Sequence, residues 1–183
     1  AAMKADGTVS KIIVLINSAN ALQVDFLKDN TYNVDACLWI GDVGITGINA
    51  VADILAGNVN PSGSLVDTYC YDNMSSPAMA NFTPVTYEGY TEELVPEKAK
   101  SYMVYQEGIY VGYKYYETRY EDTVMGTGNA GSYVYSDDVA FPFGYGLSYT
   151  DFEYSDMTGV YDAATDSYNF NVTVTNTCLL YTS

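Results

Sequence analysis

Residues 11–17 read Lys-Ile-Ile-Val-Leu-Ile-Asn, a short run of β-branched and other apolar side chains between polar residues. Apolar runs of this length are typical of strands buried on both faces, as in a parallel sheet. Residues 35–40, Asp-Ala-Cys-Leu-Trp-Ile, predict a second strand of the same kind. Ser18 and Asn20 lie between the two runs and have side chains that cap helices. The order predicted is strand, helix, strand.

A second helix is predicted after the second strand. Apolar residues recur at helical spacing within residues 45–56, and Gly57 follows where helices commonly end. Residues 60–63, Asn-Pro-Ser-Gly, have turn composition, and residues 64–69 predict a third strand. Strands alternating with helices indicate a layered α/β domain with a mainly parallel sheet, in which ligands bind beyond the carboxyl ends of the strands.

The pattern changes after residue 71. Residues 72–104 show weak periodicity and predict a long loop with short elements. Residues 105–116 alternate like a strand, whereas residues 118–139 are polar and glycine-rich and predict a loop. Alternation returns at residues 152–154 and 168–174, which predicts the first two strands of an incomplete β-sandwich.

Charge and composition exclude several function classes. The 183 residues include 7 basic and 23 acidic side chains, a net charge of −16. Nucleic acids and anionic membrane surfaces are disfavoured as partners, because both require a basic face. The chain has no histidine, which excludes His-dependent nucleophilic triads and the common His-based zinc sites. No apolar run is long enough to span a bilayer.

Two further patterns are weak signals. Cys37, Cys70 and Cys178 are widely spaced and predict free thiols rather than a disulfide framework or a metal site. Neither these cysteines nor the first ten residues, which lack a signal-peptide pattern, indicate a compartment. A glycine repeat at positions 41, 44 and 47 matches no phosphate-binding fingerprint, which disfavours a nucleotide-binding domain.

Tyrosine is the most unusual residue type, with 20 copies, most of them after residue 69. Aromatic faces stack on the C–H groups of sugars, and the phenol hydroxyl binds sugar hydroxyls. Tyrosine-rich segments are equally typical of amphipathic strands and loop anchors. Both interpretations stay open at this point.

Three stretches, in this order, resemble glycoside hydrolase family 3. Residues 50–65 contain Ala-Asp-Ile-Leu-Ala-Gly-Asn-Val-Asn-Pro-Ser-Gly and resemble a helix and turn near the end of the family's α/β sandwich domain. The second stretch is residues 105–116, Tyr-Gln-Glu-Gly-Ile-Tyr-Val-Gly-Tyr-Lys-Tyr-Tyr. The third, residues 141–152, reads Phe-Pro-Phe-Gly-Tyr-Gly-Leu-Ser-Tyr-Thr-Asp-Phe and resembles the segment that leads into the family's fibronectin-III-like domain.

The resemblance implies a domain division. Residues 1–150 would be part of the α/β sandwich domain, and residues 151–177 the truncated start of a fibronectin-III-like β-sandwich. Residues 178–183, Cys-Leu-Leu-Tyr-Thr-Ser, break the family pattern and can be encoded by a common sequencing adapter, so we interpret them as an artefact.

The resemblance also implies a function: a retaining exo-β-glycosidase of β-glucosidase type acting on a β-glucoside or related oligosaccharide, with no cofactor. The family's nucleophilic Asp belongs to a barrel domain, and its acid/base Glu to a Ser-Gly-Glu-Gly-like sequence before the α/β segment seen here. Glu88, in Tyr-Glu-Gly-Tyr, matches only superficially and lies after the Asn-Pro-Ser-Gly turn. No catalytic, cofactor-binding or metal residue is therefore assigned, and the segment alone is expected to be inactive.

Glycoside hydrolysis requires paired carboxylates. Among the acids of this sequence, Glu107 is the best-placed candidate for a catalytic carboxylate, because it precedes Gly108 beside the predicted strand 105–116. The other acids fit a solvated surface, and the acidic pairs lack the regular oxygen spacing of calcium loops. These acids are Asp42, Asp53, Asp67, Glu88, Glu117, Glu121, Asp122, Asp137 and Asp138.

A second hypothesis is non-catalytic. A carbohydrate-binding or adhesion module built from an α/β and a β-sandwich domain would bind sugar without hydrolysing it.

Overall fold

The computed structural model describes residues 2–89, 101–128 and 130–178. The chain divides into two compact units: unit 1 comprises residues 1–44 and 64–145, and unit 2 comprises residues 45–63 and 146–183. The described helices include none long and apolar enough to cross a membrane.

Most elements are short, and a single 3-10 turn, Asn73–Ser75, accompanies them in the described ranges. In chain order the elements are α1 (Ala2–Ala5), β1 (Ile13–Ile16), α2 (Asp25–Lys28), β2 (Ala36–Trp39), α3 (Ile48–Leu55), β3 (Tyr69–Cys70), α4 (Pro77–Ala80), β4 (Val85–Thr86), β5 (Ser101–Tyr102), α5 (Tyr113–Met125), α6 (Tyr135–Asp138), β6 (Val139–Phe141), β7 (Phe152–Asp162) and β8 (Ser167–Asn176).

Strands β1 and β2 pair in parallel, in the register Ile13↔Ala36 to Ile16↔Trp39. Both predicted strands and their direction are confirmed. Ile16 belongs to a core cluster, and Val14 packs against it from the same face of the strand. Ile13 and Leu15 remain 47% and 40% exposed. The prediction that both faces are buried is wrong, because successive side chains of a strand point to opposite faces and only one face here is covered.

The helix predicted after β1 begins later than its proposed caps. Ser18 bonds locally to the backbone of Asn20, with its Oγ atom 2.8 Å from the Asn20 carbonyl oxygen and 3.2 Å from the Asn20 nitrogen. Such local bonds compete with helix formation. Helix α2 starts at Asp25 without a side-chain cap, and Val24 before it is 1% exposed in the core with Ile16.

The remaining pairs of unit 1 are antiparallel. Strand β3 pairs with β6, and β4 pairs with β5. The predicted third strand, 64–69, overlaps the observed β3 only at Tyr69. A mainly parallel sheet is therefore not found in the described parts of the chain. The predicted loop 72–104 contains short elements as expected, although its residues 90–100 lie outside the described ranges.

Helix α5 corrects two predictions. Residues 105–116 do not form a strand, because Gly108 and Gly112 have φ of 57° and 60° and interrupt the extended chain. A turn precedes Tyr113, and a helix of 13 residues follows to Met125, which includes residues 118–125 of the predicted loop 118–139. Tyr116 of this helix packs with Cys70 of β3 and is 3% exposed. Packing thus overrides the strand preference of tyrosine.

Unit 2 begins with α3, which lies within the predicted helix 45–56. Gly57 follows with φ of 77°, the left-handed conformation expected at a helix end. Asn60 then joins two of the motifs that carry the family resemblance. Its Oδ1 atom accepts hydrogen bonds from Ser148 Oγ (2.9 Å) and Tyr149 N (2.8 Å), and its Nδ2 atom donates to Thr150 Oγ1 (3.0 Å).

Strands β7 and β8 form an antiparallel hairpin, so the two strands predicted near residues 152–154 and 168–174 are confirmed. A register shift between Ser155 and Thr158, with Asp156 at φ of 53°, lets one face stay apolar along both strands. That face, the apolar hairpin face, consists of Phe152, Tyr154, Met157, Gly159 and Tyr161 on β7 and Tyr168, Phe170, Val172 and Val174 on β8.

Candidate functional site

A small pocket lies at the carboxyl end of the β1–β2 pair in unit 1. Strand β2 ends at Trp39, which lines the pocket, and the residues that follow β1 supply another part of its wall. The cavity measures about 70 Å³. Its lining consists of Ala19, Ala21, Trp39, Leu65, Val66, Asp67 and Tyr69. In α/β sheets this is the edge at which parallel strands present ligand sites.

Trp39 is held in place from two sides. Its indole Nε1 donates a hydrogen bond to the Ser18 carbonyl oxygen at 2.9 Å. Gly41, at φ of 56°, lies against the ring, and a Cβ atom there would be 3.3 Å from Trp39 Cζ2. The side chain remains 39% exposed. Trp39 therefore offers a fixed and accessible aromatic surface.

Asp67 lies on a segment that the backbone holds firmly. Two residues earlier, Leu65 N donates to the Tyr145 carbonyl oxygen, and the Leu65 carbonyl oxygen accepts from Gly144 N, both at 2.8 Å. Asp67 Oδ1 accepts a hydrogen bond from Thr68 N at 2.9 Å. Its second carboxylate oxygen accepts no hydrogen bond from a residue that the structure describes.

Gly112 makes room for this carboxylate. It precedes α5 at φ of 60° and ψ of −132°, a conformation that favours glycine. A Cβ atom at this position would lie 3.2 Å from Asp67 Oδ1. Gly112 belongs to residues 105–116, the second of the family-like stretches. This stretch therefore lies next to the pocket residue Asp67, although Gly112 is not itself part of the lining.

The pocket lining combines one carboxylate, Asp67, with two aromatic rings. Tyr69 forms its buried floor at 5% exposure, and burial raises the pKa of its hydroxyl, as do the negative charge of Asp67 and the nearby Cys37 thiol. Trp39 and Tyr69 supply apolar ring surface, and Asp67 supplies a charged acceptor. This combination suits a ligand with both C–H faces and hydroxyl groups. The lining contains one carboxylate, Asp67, whereas hydrolysis of a glycoside requires two.

Most of the other acids have local structural roles. Glu117 accepts a hydrogen bond from Tyr135 at 2.6 Å, Asp42 from the Gly44 nitrogen at 3.2 Å, and Asp53 from Asn58 at 3.2 Å. Glu88 is exposed. Within the described ranges, no three acids, cysteines or histidines come together as a metal site.

Glu107, the best-placed catalytic candidate from the sequence, lies in a turn rather than beside a strand. The Tyr110 nitrogen donates to its carbonyl oxygen at 2.9 Å. Its Oε2 atom is buried and has no hydrogen-bond partner among the described residues. Glu107 is not part of the pocket lining.

Sequence reasoning considered Asp67 only as one acid among many, and Trp39 only as a strand residue. The available signal was position: Trp39 lies near the carboxyl end of the predicted strand 35–40, and ligands bind beyond the carboxyl ends of such strands. The contribution of Gly112 was not predictable, because it lies 45 positions from Asp67 in the sequence.

Comparison with known proteins shows to which family this chain is similar. Residues 2–113 match the model of the glycosyl hydrolase family 3 C-terminal domain. The chain is 33% identical over 146 residues to a β-glucosidase of Ruminococcus albus, covering 80% of this chain and 12% of that protein. It is 36% identical over 168 residues to an exo-α-(1→6)-L-arabinopyranosidase of Bifidobacterium breve, covering 91% of this chain and 17% of that protein. The chain thus spans less than a fifth of the length of these relatives.

Solved structures agree with this result. β-Glucosidase 3B from Thermotoga neapolitana, determined in complex with glucose, matches 91% of this chain and 19% of its own at 34% identity and a TM-score of 0.60. A β-glucosidase from Paenibacillus barengoltzii matches 91% of this chain and 15% of its own at 32% identity and a TM-score of 0.62.

Proposed function

The chain belongs to glycosyl hydrolase family 3, and from this membership we propose that it is a segment of a retaining exo-β-glycosidase that hydrolyses β-glucosides. The relatives' names support the reaction, since the Ruminococcus albus protein and both solved structures are β-glucosidases. The Bifidobacterium relative is named for an arabinopyranoside, so related pyranosides are the second substrate class to test.

Family membership carries the proposal, and the Trp39–Asp67 pocket at the carboxyl end of β1 and β2 is compatible with it. An aromatic surface beside a charged acceptor is suited to sugars, because a pyranose has apolar C–H faces and hydroxyl edges. Its volume of about 70 Å³ is far below the roughly 300–1,000 Å³ of pockets that enclose whole ligands. The segment would therefore form one wall of a sugar cleft that other parts of the enzyme complete.

In this proposal the chemistry is supplied by residues outside the segment. A retaining glycosidase uses one carboxylate as nucleophile and a second as acid and then base, about 5–5.5 Å apart. We assign neither role to a residue of this chain. We therefore expect the 183-residue segment to be inactive alone, and no cofactor to be required.

We also propose the domain division implied by the family. Residues 1–150 would belong to the α/β sandwich domain and residues 151–177 to the start of a fibronectin-III-like domain. The apolar hairpin face supports the second assignment, because its large side chains are 49–75% exposed and a β-sandwich would cover them with a second sheet. Residues 178–183 remain a proposed sequencing artefact; 179–183 lie outside the described residues.

The reading frame around the segment tests the proposal. We expect the source DNA to encode a Gly-Glu-Gly-like sequence upstream, and a barrel domain containing the nucleophilic Asp on one side. A frame that closes without either would overturn the enzyme assignment. A non-catalytic sugar-binding module would then be the better account, since the pocket contains a sugar-compatible surface and a single carboxylate.

A further inference from the structure

We propose that Trp39 and Asp67 form a sugar-binding subsite in which the indole covers a C–H face of a pyranose and the free Asp67 oxygen accepts a hydrogen bond from a sugar hydroxyl. Gly41 and Gly112 are the positioning residues of this subsite. The inference rests on the proposed function and extends it, because it names the residues of this segment that contact the substrate.

Hydrogen bonds fix the orientation of the two side chains. The bond from Trp39 Nε1 to the Ser18 carbonyl oxygen occupies the one polar atom of the indole, so the ring surface is what remains for a ligand. Asp67 uses Oδ1 for Thr68 N, and its second oxygen has no partner among the described residues. Both groups are fixed in advance, so little conformational entropy is lost when a ligand binds.

Two glycines leave room for these side chains. Most glycines with positive φ in the described chain have open space where a Cβ atom would be. An added Cβ would instead lie 3.3 Å from Trp39 at Gly41 and 3.2 Å from Asp67 at Gly112; at Gly128, outside the pocket lining, it would meet the Asp122 carboxylate. The two glycines, 71 positions apart in sequence, each leave room for one of the two polar or aromatic groups that face the pocket.

An indole ring beside a carboxylate matches one class of ligand best. A ligand that is only apolar gains nothing from a carboxylate, and an anionic ligand is repelled by Asp67 in a chain of net charge −16. A neutral polyhydroxylated ring satisfies both groups, since its hydroxyl donates to the carboxylate and its C–H face packs on the indole. Hydrogen bonds to a charged acceptor are among the stronger ones in proteins.

The test uses the complete polypeptide that the reading frame encodes, with kinetics on p-nitrophenyl β-D-glucopyranoside and titration with methyl β-D-glucopyranoside. We expect Asp67→Asn to raise KM and the dissociation constant about tenfold or more while kcat changes less than about threefold. The matched control is Asp25→Asn, an exposed acid of the same unit outside the pocket, which should leave both constants unchanged.

Monodeoxy glucosides separate contact from a merely structural role. One of them should bind the wild type about tenfold more weakly than the parent glucoside, because its missing hydroxyl leaves Asp67 without a donor. The same sugar should lose little further affinity in Asp67→Asn. Trp39→Phe should weaken every glucoside by a similar smaller factor, since the ring contact does not depend on one hydroxyl.

The outcomes are distinguishable. A wild type that hydrolyses no glycoside overturns the proposed function; the titrations still decide the subsite, which holds if Asp67→Asn weakens methyl glucoside binding. A wild type that hydrolyses glucosides, with KM and all deoxy-sugar losses unchanged in Asp67→Asn, overturns the subsite alone. A wild type that neither binds nor hydrolyses these sugars overturns both.

Discussion

Unit 1 and unit 2 bury their apolar residues to very different extents. In the described chain, Val51 is the one buried residue of unit 2. The buried apolar residues of unit 1 are Ile16, Val24, Tyr69, Cys70, Tyr116, Ala130, Val139 and Ala140. A pocket needs fixed walls, and unit 1 has the core that fixes them. The β7–β8 hairpin of unit 2 is ordered mainly by its own pairing, which is marginal for an isolated hairpin.

The largest expected effect contrasts one core residue with one residue of the apolar hairpin face. Val24→Asp should destabilise the chain by about 3–5 kcal/mol, because an unpaired charge would replace a side chain that is 1% exposed. Phe170→Asp, at a position 65% exposed, should cost less than about 1 kcal/mol. Urea unfolding followed by circular dichroism measures both, and equal losses would show that the two units do not differ as described.

Gly112→Ala should cause the next largest loss of stability. The positive φ disfavours a side chain, and the added Cβ would displace the Asp67 carboxylate, at a combined cost of about 1–3 kcal/mol. Gly131→Ala is the matched control, because Gly131 has φ of 61° and open space where its Cβ would be. We expect Gly112→Ala to lower the thermal unfolding temperature more than Gly131→Ala does. Equal losses would mean that contact with Asp67 is unimportant.

Trp39 provides a second readout of the same pair, because it is the only tryptophan in the chain. Gly112→Ala should shift the fluorescence of this residue through the disturbed pocket, whereas Gly131→Ala should not. A shift in neither variant would indicate that Asp67 and Trp39 do not share one environment.

Asn60→Ala tests the hydrogen-bonded junction of unit 2. We expect a loss of about 1–2 kcal/mol, since three hydrogen bonds of an exposed side chain are removed. Asn58→Ala is the control, because the Asn58 side chain donates to Asp53 alone among the described residues. Hydrogen exchange at Tyr149 N should accelerate in Asn60→Ala and not in Asn58→Ala; similar exchange in both would contradict the assigned role.

The smallest effect is a pH dependence of unit 1. Asp35 accepts hydrogen bonds from Lys4 Nζ (2.6 Å), Ile12 N (2.8 Å) and Lys11 Nζ (3.1 Å), with the Lys4 bond the main cause that lowers its pKa well below the usual range. A lowered folded-state pKa means that the charged form stabilises the fold above the unfolded pKa of about 3.9, and that this contribution is lost as the pH falls below it.

Asp35→Asn should therefore flatten the acid limb of a plot of stability against pH, whereas Asp25→Asn should leave that limb in place. Thermal unfolding at a series of pH values between 2 and 7 gives the comparison. An acid limb that Asp35→Asn leaves unchanged would exclude Asp35 as its source.

The elements that could be predicted are those whose formation depends on residues close together in the sequence. Strands β1 and β2, helix α3 and the β7–β8 hairpin follow from apolar runs and spacing that each segment contains by itself. The alternation that predicted a strand at residues 105–116 failed because it did not account for Gly108 and Gly112, whose positive φ breaks the extended chain. Tyrosine has strand preference, but in α5 the contact of Tyr116 with Cys70 outweighs it.

Long-range contacts could not be predicted. Strands β3 and β6 are two and three residues long and lie about 70 positions apart, so no local pattern reveals their pairing. The pocket has the same origin, because Trp39, Asp67 and Gly112 meet only in the folded chain. Sequence alone indicated the edge of the sheet at which ligands bind in such folds, and the residues of the proposed subsite emerge only from the folded chain.

The most direct test of the account is the reaction of the complete encoded polypeptide with p-nitrophenyl β-D-glucopyranoside, followed by NMR of the released sugar. The account predicts hydrolysis with β-D-glucose appearing first, as a retaining enzyme requires. Release of α-D-glucose first, or sugar binding with no hydrolysis at all, would contradict the assignment of this segment to a retaining β-glycosidase.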